Sequence, residues 1–139
     1  MSTQLTPAEI ENFAQLLQDD DPAQRALTIL INNNGQIEQS FEQLWTEKYG
    51  KQDFGSKSIW QSTLTVLRQE LCGEEGIKNQ VKEYSKNPTS APLLTGLIVA
   101  VLSSAGLPID PAIATVIVLY ILKVGINIFC EYIKPDVGV

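Results

Sequence analysis

The chain has 139 residues, of which 44% are hydrophobic, 19% charged and 7% aromatic, and its net charge is -6. That fits one globular domain, or a small domain with an appendage, and excludes collagen, coiled-coil and wholly disordered chains. Histidine is absent, which removes a His-based triad, a His-ligated metal and an imidazole switch, while the acidic excess argues against nucleic acid as a partner.

Charge is unevenly spread. Residues 1–88 hold 8 of the 10 basic and 13 of the 16 acidic residues, and the rest of the chain is oily. Thr6-Pro7-Ala8-Glu9 is a capping box with proline at the first helical position, and Ile10, Phe13, Ala14 and Leu17 follow at helical spacing. Asp19-Asp20-Asp21-Pro22 caps a second, short helix through Ala23, Leu27 and Leu30, which Gly35 ends in a left-handed cap. A third runs from about Gln36 with Ile37, Phe41, Leu44 and Trp45 on one face. A fourth runs from about Ser56 with Trp60, Leu64, Leu67 and Leu71, and Gly73 or Gly76 ends it. The fifth, from about Glu74, turns Ile77, Val81 and Tyr84 inward and Lys78, Lys82 and Lys86 outward, with Glu74 paired to Lys78. Phe13, Phe41, Trp45, Trp60 and Tyr84 can anchor a small core, so residues 1–88 read as a helical interaction module able to fold alone.

Asn87-Pro88-Thr89-Ser90-Ala91-Pro92 interrupts the helical pattern and marks the boundary with residues 89–139. No charge occurs from Asn87 to Ile109. Gly106 and Pro108 end a first apolar arm, Leu93 to Ala105, and Asp110-Pro111 caps a second, Ala112 to Ile133. The expected fold is therefore all-α, a bundle of about five short amphipathic helices followed by a hydrophobic helical hairpin. The first arm spans about 20 Å, short of a hydrocarbon layer of roughly 30 Å, whereas the second is long enough to cross one. Thr115, Lys123, Asn127 and Glu131 form a polar stripe along the second arm. Gly96, Ala100 and Ser104 make a small-residue row on the first arm, and Gly125 lies on the second, where backbones can approach for self-association or membrane packing. Lys123 at mid-helix costs roughly 2.5–3.5 kcal/mol at a bilayer centre unless it is paired or hydrated.

Of the 43 residues from Ala91 to Ile133, 29 are apolar, too many to remain wet, so lipid, sister subunits or the amphipathic helices must cover them. Two functions follow from that choice. The leading one is a non-enzymatic protein whose hairpin inserts in or associates with a membrane, as an oligomerising effector or anchor. The alternative is a soluble helical adaptor or interaction protein with the hairpin as buried core or dimer interface. Lysines flank the hairpin and its turn has none, which by the positive-inside rule puts both termini in the cytoplasm. The N-terminal stretch lacks the features of a secretory leader. Cys72 and Cys130, far apart in apolar helical surroundings, read as reduced packing residues of an intracellular chain.

No catalytic or cofactor constellation emerges, and neither a cofactor nor a metal is expected. Gly50 to Ser58 misses the phosphate-loop spacing by one inserted residue and reads as a helix connection, and Asp19 to Asp21 lacks the glycine and distal glutamate of a calcium loop. Ser103-Ser104 has neither an elbow motif nor a base. The expected partner is a protein or a second copy, with a membrane as the further candidate.

Residues 58–88 carry a resemblance. Ser58-Ile59-Trp60 through Leu64 and Leu67, then Gly76-Ile77 and Val81 to Tyr84, ending at Asn87-Pro88, resembles the small helical effector-associated adaptor domains of prokaryotic conflict systems. In those domains a Trp-led helix precedes a shorter one ending in Tyr-Pro or Asn-Pro; here Ser85 and Lys86 stand between the tyrosine and Asn-Pro. The resemblance implies homotypic helical adhesion by the first part and an effector role for the hairpin, and it transfers no contact residue.

Overall fold

In the computed structural model, residues 3–50, 59–72, 75–104 and 109–131 are described. They form eight helices and no strand: α1 Pro7–Leu16, α2 Asp21–Asn32, α3 Ile37–Tyr49, α4 Ile59–Leu71, α5 Glu75–Lys86, α6 Ala91–Ser104, α7 Pro111–Val124 and α8 Ile126–Glu131. The all-α expectation holds. The stretch 51–58, Glu74 with its pairing to Lys78, and the turn with Gly106 and Pro108 lie outside the described residues.

Local chemistry sets the helix starts. The Thr6 hydroxyl accepts from the Glu9 N–H at 3.1 Å, and the Glu9 carboxylate accepts from the Thr6 N–H at 2.8 Å. Asp20 accepts from the Ala23 N–H at 3.1 Å and Asp110 from the Ile113 N–H at 2.8 Å. Each such cap contributes about 1 kcal/mol by satisfying a donor that the helix cannot. At the other end of α2, Asn34 and Gly35 have positive φ of 57° and 80°. The Gly35 N–H donates to the Leu30 carbonyl at 2.7 Å, and Gly35 in turn accepts from the Leu5 N–H at 2.9 Å. An isolated bridge between Gln4 and Gln36 fastens the segment before α1 to the α2–α3 turn.

The centre of the protein is α7. Every residue from Ala112 to Ile121 is buried, the pattern of a helix apolar around its whole circumference. It packs against α2, α3 and α6. The amphipathic helices of the polar part therefore cover the oily part, and one cluster of buried residues runs through both. A line of ring contacts follows the same route. Trp45 meets Phe41 at 5.8 Å, Phe41 meets Trp60 at 5.0 Å, Trp60 meets Tyr120 at 4.9 Å and Tyr120 meets Phe129 at 6.1 Å.

Two expectations are corrected here. The hairpin that enters a membrane is overturned, because among the described residues no helix is long and apolar enough to cross one. The second arm is not a single helix of 22 residues. It stops after 14 at Gly125, whose φ of 90° breaks the helical path, and restarts as α8. The apolar surface that demanded a cover finds it in α2 and α3, which lie against α7, and in α5, which lies against α6, as in the alternative reading of the hairpin as buried core.

The second correction concerns the cysteines, which are joined as a disulfide, Cys72–Cys130, with Cα atoms 5.7 Å apart. Phe129, fully buried on α8, and the Arg68 side chain, which donates from Nε to the Phe129 carbonyl at 3.0 Å, set α8 beside the end of α4. That docking brings together two residues 58 apart in sequence. Closing so long a loop restricts the unfolded chain, and replacing both cysteines by alanine should cost about 2–4 kcal/mol. Urea unfolding of the double variant and of wild type with and without a dithiol reductant checks this. Equal midpoints for all three would refute the cross-link.

Candidate interaction surface

Helix α6 has two unlike sides. Leu94, Leu97, Ile98 and Val101 are buried, whereas Pro92, Thr95, Val99 and Ser103 are exposed. The exposed set recurs at three and four residues, so it forms one outward stripe. Val99 at its middle is 54% exposed, one of the three large hydrophobic side chains left most open among the described residues, with Ile31 and Ile128. No charged residue lies in α6, and the stripe therefore carries none of the charge that ordinarily keeps a surface from associating.

Gly96 and Ala100, expected on a close-packed row, flank this stripe and are partly exposed. Among the described residues nothing lies within 4 Å of a Cβ added at Gly96, so the glycine leaves open space beside Val99. Ser104 is the last residue of α6. Gly125 likewise has nothing within 4 Å of a built Cβ, and its positive φ serves the bend between α7 and α8.

The polar stripe of the second arm is divided by that bend. Thr115 is buried and donates its hydroxyl to the Pro111 carbonyl at 2.8 Å, satisfying itself within α7. Lys123 reaches back to α1, with Nζ 3.0 Å from Glu9 Oε1 and 3.1 Å from Oε2. Asn127 and Glu131 are exposed on α8. The awkward lysine is thus at the rim of the core, in a pair exposed enough to contribute about 0–1 kcal/mol.

Among the described residues three groups have displaced titrations, each with a cause in the packing. The Thr6 backbone N–H, more than Lys123, holds the Glu9 carboxyl below its usual range. Burial and the neighbouring Glu38 push Glu42 up, against the Trp60 backbone N–H donated to it at the start of α4. Burial raises Tyr84, whose hydroxyl donates to the Pro88 carbonyl at 2.9 Å. Among the described residues no group of three metal-ligating side chains converges.

Two concavities border α6 and α8. A groove of about 930 Å³ lies between the α1–α2 corner, Gln15 to Pro22, and the start of α6 at Ala91, Pro92, Thr95 and Gly96. It is continuous with the Val99 stripe and has three aspartates and no cation in its lining. A second, more apolar groove of about 600 Å³ runs between α5 and the α7–α8 bend. The outward lysines of α5 were legible from their spacing, but the groove was not, since it depends on where the disulfide and Phe129 hold α8. Compared with family models, curated proteins and solved structures, the chain matches none.

Proposed function

We propose that this chain is a non-enzymatic helical interaction protein that associates with its own copies through the outward side of α6. The observation that carries the reading is the uncharged stripe of Pro92, Thr95, Val99 and Ser103, which leaves Val99 more than half exposed while the opposite side of the same helix is buried. Apolar area at the centre of such a patch supplies binding free energy only when a partner covers it. The lack of histidine supports the non-enzymatic part; the resemblance of residues 58–88 to adaptor domains implies homotypic adhesion by the first part of the chain and does not bear on α6.

Size-exclusion chromatography with light scattering tests it across a range of concentrations. Wild type is expected to exceed the 15.3 kDa of one chain as concentration rises, and Val99→Glu, which would bury a charge in the contact, to remain at that mass. A wild type that stays at 15.3 kDa throughout, or a Val99→Glu variant that associates as wild type does, overturns the proposal.

A further inference from the structure

The cations of this acidic chain are not all used internally. Arg25 pairs with Glu47, Lys48 with Asp110 and Lys123 with Glu9, and Arg68 holds the Phe129 carbonyl. Among the described residues the basic side chains without such a partner are Lys78, Lys82 and Lys86, all on α5 and four residues apart. Lys82 and Lys86 also line the apolar groove against α7 and α8, whose far wall includes Leu122 and Ile128. Ile128 is 49% exposed there. An apolar floor edged by two free cations fits a partner with an apolar centre and acidic edge.

The same chain carries such a surface elsewhere. The α1–α2 corner presents Asp19 and Asp21, exposed and without an ion pair among the described residues, while Asp20 is engaged as the cap of α2. Beside them lie Pro22 and the uncharged start of α6. We propose that the occupant of the α5–α8 groove is a second copy of this chain, presenting its Asp19–Asp21 corner and the adjoining α6 stripe to Lys82 and Lys86. The two surfaces are different patches of one molecule, so the contact is head to tail and each added copy leaves one of each free. This rests on the self-association proposed above and specifies its geometry.

The test is a charge exchange on the full chain. Lys82→Glu with Lys86→Glu spoils only the basic groove, and Asp19→Lys with Asp21→Lys spoils only the acidic corner; all four are exposed, and circular dichroism checks that both double variants fold. Light scattering should find each variant alone at the mass of one chain and their equimolar mixture associating as wild type does at the same concentration, because in alternating copies every groove again faces a corner of opposite charge. Wild-type association should weaken at least about tenfold between about 50 mM and about 500 mM salt, as ion pairs at a rim are screened. If wild type associates and Val99→Glu abolishes it, yet both charge variants associate like wild type, the interface is α6 against α6 and the head-to-tail contact is refuted while self-association stands. A mixture that stays monomeric also refutes it. A wild type monomeric at every concentration refutes both, and leaves the basic groove to an acidic partner of another kind.

Discussion

Replacing Ile117 by aspartate should unfold the whole protein, at a cost of about 4 kcal/mol or more, because a carboxylate there has neither water nor a cation. Ile117 is fully buried at the middle of α7, among residues buried on every side from Ala112 to Ile121. The informative readout is tryptophan fluorescence in urea, since Trp45 and Trp60 belong to α3 and α4 and not to the oily part. Trp60 contacts Tyr120 of α7 at 4.9 Å, so loss of α7 packing should reach it directly. The conservative Ile117→Val, removing one methyl group, should cost only about 0.5–1.5 kcal/mol with the same single transition. A tryptophan transition left in place by Ile117→Asp would show that residues 1–88 hold together without α7, and would refute the shared core.

What was legible in the sequence was whatever depends on neighbouring residues. Thr6 with Glu9, Asp20 ahead of Pro22, and Asp110 ahead of Pro111 are read from a few positions, because a cap is a contact across one helical turn. The inward sides of α3, α4 and α5 followed from spacing for the same reason. The apolar arms were different. A helix oily all round has the same composition whether lipid or protein surrounds it, and α7 became a core helix only once α2 and α3 were seen to lie against it. Gly125 sharpened the error: inside an apolar run a glycine reads as a tolerated or close-packing residue, whereas here it ends the helix and makes the arm too short to span. The two cysteines, and the pairing of Lys123 with a glutamate 114 residues earlier, were beyond reach because both join residues that only the fold brings together. The interaction surface was half visible. The uncharged run through α6 and the lysine row of α5 stand in the sequence, but which side of α6 is covered, and what faces the lysines, are set by α7 and α8.

Gly35→Ala should destabilise the protein by roughly 4 kcal/mol, far beyond the ordinary cost of a side chain at a helix end, and the reason is a backbone contact. A Cβ at Gly35 would lie 2.0 Å from the Leu5 carbonyl oxygen, closer than any packing adjustment of side chains can relieve. The position is buried and its φ is 80°, so the substitution combines left-handed strain of about 1–2 kcal/mol with forced separation of the segment carrying Leu5, itself 2% exposed. That separation breaks the 2.9 Å bond from the Leu5 N–H to the Gly35 carbonyl and pulls at the 3.1 Å bond from the Ile37 N–H to the Thr3 carbonyl. Gly125→Ala is the control. Its φ is 90° but nothing lies within 4 Å of the added carbon, so it should carry only backbone strain, about 1–3 kcal/mol. The urea midpoint of Gly35→Ala is therefore expected to fall below that of Gly125→Ala. If the two coincide, the Leu5 segment yields without cost, and the clamp between the start of the chain and the α2–α3 turn contributes nothing to the fold.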